Sequence, residues 1–373
     1  VFDSQIAHGK ILNINIVDAE SISGVKAILT EKDLPGINQV GGIIPDETLF
    51  AENEVHFAGE PIGIVVADSI ETAKKAVNKI NVDYENLNVI VDPREAFEKC
   101  KLIMPPRTFS FGNVEVTWNK CDVVVEGKVE SGGQEHLYLE TQGSIAIPQE
   151  GGKIRIISST QSPTAVQKTA ARILGVEMNN IEVDVLRLGG AFGGKEDQAT
   201  HWAVMSALAA HKLDKPVKLV LSRMDDLRMT GKRHPYSSDY KIGLTSEGKI
   251  LAFEATYYQN AGAFADLSPA ILDRTLFHAT NSYYIPNVRA TGISCKTNLP
   301  PNTAFRGFGG PQGKFVIEAA LYKAAEKMGI DATEIQQKNL LKDGDIFYYG
   351  QPVENSHAER CWIKADEKYD VKK

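Results

Sequence analysis

The chain has 373 residues, of which 43% are hydrophobic and 24% charged, and its formal net charge is −7. This length predicts two or three domains with buried cores, and the acidic balance without a basic patch argues against a nucleic-acid-binding protein. The apolar runs are much shorter than a membrane span, and the chain does not open on a charged segment followed by an apolar stretch, so we expect neither a membrane segment nor a signal peptide.

The four cysteines are too far apart in sequence to form a Cys-x-x-Cys pair: they are Cys100, Cys121, Cys295 and Cys361. We therefore expect reduced thiols in a cytoplasmic protein. We expect no zinc or iron–sulfur site built from this chain alone.

Residues 1–100 are predicted to form a small α/β domain. Residues 10–17 alternate apolar and polar side chains, as a half-buried strand does, and the continuous apolar run at 61–67 indicates a strand buried on both faces. Ser69 is a candidate N-cap for a helix over residues 71–80. Further strands are predicted at 25–29 and 80–84. Residues 101–121, which include Pro105-Pro106, are predicted to be an extended linker.

A larger domain with mixed elements is predicted over residues 122–373, so that the fold class is α/β and α+β. Its strands are expected at residues 154–159, 181–188, 216–222, 236–243, 250–258 and 287–295. Its helices are expected at residues 163–174, 196–212, 312–328 and 332–341.

The segment GGAFGGKE at residues 189–196, the first glycine loop, joins a predicted strand to a predicted helix. Such a loop aims backbone N–H groups at an anion and lets a flat ligand approach the main chain. It is no nucleotide P-loop, because Glu196 stands where Ser or Thr must hold magnesium, and its glycine spacing does not fit a dinucleotide-binding loop. By itself it could equally be a tight turn without a ligand.

The segment TAFRGFGGPQ at residues 303–312, the second glycine loop, also precedes a predicted helix. Its aromatic side chains suit stacking on a planar ligand, although a hydrophobic turn capped by Arg306 explains it equally well. Arg274 lies in an apolar stretch, where a cation needs a partner or a ligand, and Asp273 is its obvious local partner. Gln161 by itself indicates only the start of a helix.

Seven segments resemble, in order and spacing, the xanthine dehydrogenase and aldehyde oxidase family of molybdenum hydroxylases. They are GGQEHLYLETQ (132–142), STQSP (159–163), GGAFGGKE (189–196), GKRHPY (231–236), RTLFH (274–278), KTNLPPNTAFRGFGGPQ (296–312) and RCW (360–362). The two glycine loops are the most specific part. The resemblance covers nearly the whole chain. It implies a hammerhead α/β domain followed by the first molybdopterin-binding domain, as in the N-terminal half of a xanthine-dehydrogenase-type molybdopterin-binding subunit.

The resemblance also implies roles for residues of both loops. Gln161 would lie in the apical position beside the molybdenum, without being a firm ligand. Other residues would contact the molybdopterin cofactor: Gly190, Phe192, Gly193, Ala304 and Arg306. Phe308 would pack on the substrate ring. Glu196 and Arg274 would be the catalytic polar pair that recognises a purine.

In this family a carbon next to a ring nitrogen, or an aldehyde carbon, is hydroxylated with oxygen from water. The electrons leave through molybdenum to [2Fe–2S] clusters and FAD. Because both members of the polar pair are present, a purine such as xanthine or hypoxanthine is favoured. The alternatives are another N-heterocycle, an aldehyde, or a non-catalytic subunit that keeps the fold without the metal. The sequence does not specify the pterin variant.

The chain is about half as long as a typical molybdenum subunit of this family, and it begins inside the expected hammerhead region. We expect the second molybdopterin-binding half, which normally supplies the glutamate that acts as general base, to be elsewhere. The same holds for the iron–sulfur and flavin domains or subunits. The chain could be a subunit of a split enzyme, a fragment or a truncated product. We expect it to be inactive alone and to expose an apolar surface near the two loops.

Overall fold

The computed structural model describes residues 1–371, so that the last two residues of the predicted second domain, Lys372 and Lys373, lie outside it. Within this range no helix is long and apolar enough to cross a membrane. All four cysteines are free.

The first 88 residues form two three-stranded antiparallel sheets with two short helices. The strands are β1 (Phe2–Asp3), β2 (Gly9–Asn15), β3 (Val25–Leu29), β4 (Glu54–Val55), β5 (Pro61–Ala67) and β6 (Asn81–Asn86), and the helices are α1 (Val17–Glu20) and α2 (Ile70–Val77). The sheet orders are β1-β5-β3 and β4-β2-β6. The continuous apolar sequence of β5 is buried as predicted. The N-cap prediction is also confirmed, because the Ser69 hydroxyl accepts a hydrogen bond from the Thr72 amide at 3.0 Å.

The remaining described residues form two further sheets covered by helices. The strands are β7 (Arg107–Phe111), β8 (Val123–Ser131), β9 (Gly143–Pro148), β10 (Ile154–Ser158), β11 (Ile181–Asp184), β12 (Val217–Val220), β13 (Tyr236–Leu244), β14 (Ile250–Gly262) and β15 (Val288–Lys296). The helices are α3 (Pro93–Glu98), α4 (Val114–Thr117), α5 (Pro163–Leu174), α6 (Ala199–Leu213), α7 (Arg223–Met229), α8 (Ser268–Phe277), α9 (Gly310–Met328), α10 (Ala332–Lys338) and α11 (Ala358–Tyr369).

One mixed sheet has the order β11-β10-β9-β12 and the other β7-β15-β14-β13-β8. Helices α5 and α6 pack on the four-stranded sheet, and α8 and α9 pack on the five-stranded one. Helix α6 is buried on nearly all sides, because it belongs to a core that also takes in Leu49, Phe50 and Ile64 from the N-terminal domain. The first glycine loop connects β11 to α6, and the second glycine loop leads into α9.

The structure corrects the prediction of an extended linker over residues 101–121. Strand β7 pairs in antiparallel fashion with β15 at the edge of the five-stranded sheet, with Phe111 opposite Val288. Phe109 and Phe111 pack against the core of that sheet. The segment is ordered because alternate aromatic side chains of an edge strand cover the core.

The strand predicted over residues 181–188 ends at Asp184. Its partner β10 supplies paired residues only as far as Ile157, opposite Asp184, and β10 ends one residue later. A strand without a neighbour loses its backbone hydrogen bonds, so the chain leaves the sheet here and turns into the first glycine loop.

Candidate functional site

The two glycine loops lie directly against each other. The Arg306 amide donates a hydrogen bond to the Phe192 carbonyl at 3.0 Å. Gly193 has a φ of 102°, and a Cβ atom at this position would lie 2.6 Å from the Ala304 oxygen. Only glycine fits this conformation and this approach. The loops therefore form one continuous rim, from which the Phe192 side chain, 51% exposed, projects.

Gln161 is held against the first glycine loop from the turn between β10 and α5. Its amide N–H donates to the Lys195 carbonyl at 2.7 Å, and its side-chain oxygen accepts from the Gly193 amide at 2.9 Å. These bonds leave the side-chain NH2 group, which has no hydrogen-bond partner among residues 1–371, free to donate to a ligand at the rim.

A segment that the sequence analysis left without a role, residues 136–142, supports both loops from below. The side chains of His136, Tyr138, Glu140 and Gln142 each contact one of the two loops. The His136 Nε2–H donates to the Ala304 carbonyl at 2.6 Å, and the Gln142 side-chain NH2 donates to the Gly194 carbonyl at 2.8 Å. Burial lowers the pKa of His136, so this ring is a neutral structural donor.

Lys195, inside the first glycine loop, is a second residue that the sequence analysis missed. It is completely buried. Its ammonium lies 2.9 Å from Glu140 Oε2 and 4.7 Å from the centroid of the Tyr138 ring. The same Glu140 oxygen accepts from the Gly189 amide at 3.0 Å. The lysine is thus paired with protein groups and turned away from any ligand.

Arg233, from the motif GKRHPY, supports the second glycine loop. One guanidinium nitrogen donates to the Arg306 carbonyl at 2.9 Å, and the guanidinium carbon lies 3.9 Å from the centroid of the Phe305 ring. The spacing of the motif was the only sequence signal for this role. The Arg306 amide is thus bonded to Phe192, and the Arg306 carbonyl is bonded to Arg233.

Glu196, at the end of the first glycine loop, is half-buried. Its carboxylate accepts no hydrogen bond from any group in the described part of the chain. Burial, followed by the neighbouring charge of Asp197, raises the pKa of Glu196. The side chain is therefore an unpartnered carboxyl group that takes up a proton more readily than an ordinary glutamate.

Arg274 is placed differently from the sequence expectation of a cation in an apolar stretch paired with Asp273. It lies on the exposed face of α8, and Asp273 instead forms an ion pair with Arg107 of β7. The Arg274 guanidinium carbon lies 5.9 Å from the centroid of the Phe308 ring. Phe308 belongs to the second glycine loop, so the cation stands over an aromatic ring next to the rim.

Comparison with family models identifies the chain. Residues 97–340 match the molybdopterin cofactor-binding domain. Residues 1–88 match the a/b hammerhead domain of aldehyde oxidase and xanthine dehydrogenase. The chain belongs to the aldehyde oxidase and xanthine dehydrogenase family. This confirms the predicted family and fold class; the predicted boundaries at residues 100 and 121 stay a prediction.

Two xanthine dehydrogenases from animals are similar to this chain over most of its length. Xanthine dehydrogenase/oxidase from Mus musculus is 41% identical over 98% of this chain, and xanthine dehydrogenase from Calliphora vicina is 41% identical over 95% of it. The chain covers only 28% and 26% of these two relatives.

Solved structures agree with this fold. The aldehyde oxidoreductase from Desulfovibrio gigas superposes with a TM-score of 0.92 at 26% identity, over 99% of this chain and 42% of that one. Quinoline 2-oxidoreductase from Pseudomonas putida 86 superposes with a TM-score of 0.90 at 22% identity, over 100% of this chain and 50% of that one; at this identity it bears on the fold alone.

Proposed function

We propose that the chain forms one wall of a molybdenum hydroxylase active site and, with the polypeptide that completes that site, hydroxylates a purine with oxygen from water. The observation that carries the proposal is the position of Arg274. This cation stands over the Phe308 ring and forms no ion pair with another described residue, since Asp273 is occupied by Arg107. A cation kept free beside an aromatic ring suits a planar ligand that becomes negatively charged.

The residues along the rim fit a molybdopterin cofactor. No three His, Cys, Asp or Glu side chains within residues 1–371 are grouped to ligate a metal, so a metal here must bring its own ligands, as one held by an organic cofactor does. The rim offers hydrogen-bond donors. The amides of Gly190, Ala191 and Phe192 donate to no other described group, and the Gln161 NH2 is also free. Bound molybdenum would supply the acceptor for the two electrons of the reaction.

Three side chains would act on the substrate. Phe308 would pack on one face of the purine. Glu196, whose pKa is raised by burial, would hold a proton or accept one at a ring nitrogen or exocyclic oxygen and so orient the ring. Arg274 stays protonated and would attract the negative charge that builds up on the ring as its carbon is attacked, which lowers the barrier rather than merely improving binding.

The remaining parts of the enzyme would come from outside residues 1–373. We propose that they are a second molybdopterin-binding half with the general base, and iron–sulfur and flavin domains or subunits that carry the electrons away, all in the cytoplasm. General base catalysis is typically worth about 10²–10⁴-fold. The chain alone should therefore hydroxylate no purine.

The test is Arg274→Met in the molybdenum-loaded complex with its completing polypeptides. We expect kcat for xanthine or hypoxanthine to fall by about 10²–10³-fold, similar to the loss of an oxyanion donor, with a smaller change in KM. Glu196→Val should impair both constants, because this side chain also orients the ring. Turnover of an aldehyde, which uses neither group, should survive in both variants.

Arg289→Met is the matched control: Arg289, on β15, is paired with Glu254 of β14 and Glu115 of α4, and its replacement should not affect turnover. Unchanged purine kcat in Arg274→Met, at equal molybdenum content, would overturn the purine assignment in favour of another N-heterocycle or an aldehyde. A wild-type complex with less than about a tenth of a molybdenum per chain would overturn the catalytic assignment in favour of a scaffold subunit.

A further inference from the structure

Asp266, which had no role in the sequence analysis, contacts residues flanking both glycine loops. Its side chain is almost completely buried, with 2% of the residue exposed. Oδ2 accepts a hydrogen bond from Gln198 Nε2 at 2.7 Å, and Oδ1 accepts one from the Thr303 hydroxyl at 2.6 Å. Gln198 lies two residues after Glu196, and Thr303 is the first residue of the second glycine loop.

The same carboxylate is tied to the start of α8. Oδ1 also accepts from the Leu267 amide at 2.6 Å, and Leu267 precedes the first residue of the helix that carries Arg274. Asp266 therefore bonds to each of the three segments that carry the substrate residues of the proposed function. Its own backbone has a φ of 42°, a left-handed conformation that costs energy for a residue with a side chain and persists only where the surroundings hold it.

The charge of Asp266 is unfavourable where it lies. Burial, followed by the charges of Asp197 and Glu47, raises the pKa of Asp266 well above its ordinary value. His201 bonds to Glu47 at 2.9 Å and lies in the same buried cluster. Burying a carboxylate costs free energy, so this aspartate does not serve merely to fill space. The three hydrogen bonds that it accepts, from donors on three separate segments, explain its presence better.

We propose that Asp266 is a positioning residue that fixes the first glycine loop, the second glycine loop and α8 relative to one another, so that Glu196, Phe308 and Arg274 face one substrate. That these three residues face a substrate rests on the proposed function. That Asp266 links the three segments rests only on its contacts.

The test is Asp266→Asn. An asparagine keeps one oxygen for the Leu267 amide and the Thr303 hydroxyl, but it presents an NH2 group to Gln198 Nε2, so that two donors face each other. The Gln198 amide cannot rotate to relieve this, because its oxygen accepts from the Gly231 amide at 3.1 Å. The variant should therefore release the first glycine loop selectively.

Hydrogen–deuterium exchange of the full chain measures this release. We expect exchange over residues 189–198 to become about tenfold faster or more, as for a buried hydrogen bond replaced by a clash of donors. Exchange over residues 314–328 of α9 should change less than twofold. In the molybdenum-loaded complex the same variant should lower kcat for the purine with little change in KM and none in molybdenum content.

Glu318→Gln is the matched control. Glu318 also accepts hydrogen bonds from three places in the chain, namely Asn281, Tyr283 and Gln336, but none is in a glycine loop. It should lower the melting temperature without changing exchange in the loops. Unchanged exchange over residues 189–198 in Asp266→Asn, or an equal increase in Glu318→Gln, would overturn the proposal. Absence of purine turnover in the wild-type complex would instead overturn the proposed function, while the exchange result still decides the role of Asp266.

Discussion

Lys195 and Arg274 are both cations beside the glycine loops, but their surroundings give them opposite roles. The Lys195 ammonium is completely buried between Glu140 and the Tyr138 ring. A buried charge needs a partner. The pairing of Lys195 with Glu140 therefore ties the first glycine loop to the segment beneath it. Arg274 is exposed, and its guanidinium lies over the face of the Phe308 ring. Side-chain environment, and not residue type, separates the structural cation from the one available to a ligand.

Glu140→Gln should destabilise the chain at neutral pH and have less effect in acid. Burial raises the pKa of Glu140, but the hydrogen bonds from Gly189 and Lys195 outweigh burial and leave that pKa below its ordinary value of 4.5. A carboxyl group with a lowered folded-state pKa contributes stability that is present above the unfolded pKa and is lost as pH falls through the folded pKa. Because the Glu140 side chain is 46% exposed, solvent screens its interactions, and at neutral pH we expect a loss of about 1 kcal/mol or less in the free energy of unfolding.

Urea unfolding of the wild type and of Glu140→Gln, at neutral pH and at several pH values below 4.5, measures the difference in unfolding free energy between them. Glu326→Gln is the control, since Glu326 pairs with Lys323 on the exposed face of α9 and such pairs contribute little. A difference between wild type and Glu140→Gln that stays constant with pH would contradict the assignment of the Lys195 partner.

At the scale of elements, the site depends on the contact between the two glycine loops, and Gly193 is where they meet. Gly193→Ala combines a strained backbone with an atom 2.6 Å from the Ala304 oxygen. Gly344→Ala is the control, because Gly344 has a φ of 91° but nothing within 4 Å of an added Cβ. We expect the control to lose about 1–2 kcal/mol of unfolding free energy from backbone strain, and Gly193→Ala to lose a further 1–3 kcal/mol or so from overpacking. Equal losses of unfolding free energy in the two variants, measured by urea unfolding, would mean that the loops are not in tight contact at Gly193.

Elements with a strong local pattern could be predicted from the sequence. Strand β5 has a continuous apolar run, and α5 and α9 end at glycines in left-handed conformation. Helix α8 was not predicted, since its sequence reads as an apolar stretch with one arginine; only the fold shows that Arg274 points outward. Strand β7 was missed because its order comes from pairing with β15, about 180 residues later in the chain.

The site residues divide in the same way. Residues in the family motifs could be placed by resemblance, and the structure does bring the two glycine loops and Gln161 together. The supporting residues His136, Lys195 and Asp266 could not be assigned, because their roles are contacts between distant segments. The roles of Glu196 and Arg274 on a substrate stay predictions.

At the scale of the whole molecule, an apolar surface lies beside the first glycine loop. Residues 137–140 and 186–190 run side by side, joined by a hydrogen bond from the Glu140 amide to the Gly189 carbonyl at 3.0 Å. They expose Leu139 by 92% and Leu186 by 73%. Such surfaces mark interaction sites. Since the chain covers 42% of the D. gigas enzyme chain, we propose that the completing molybdopterin-binding half covers this surface.

The chain produced alone should consequently self-associate, with an apparent mass in light scattering that rises with concentration. The double variant Leu139→Glu, Leu186→Lys should shift it to monomer. The double variant Val17→Lys, Ile70→Lys, which alters similarly exposed residues on helices α1 and α2, should leave association unchanged. A wild-type chain that is monomeric at every concentration would contradict the proposed cover.

The most direct test of the proposed function is the source of oxygen in the product. The molybdenum-loaded complex is incubated with xanthine in ¹⁸O-labelled water under unlabelled dioxygen, and the product is analysed by mass spectrometry after many turnovers. We predict a hydroxylated purine that carries one ¹⁸O atom from the solvent. A fully loaded complex that forms no hydroxylated purine, or a product whose new oxygen is unlabelled, would contradict the proposal.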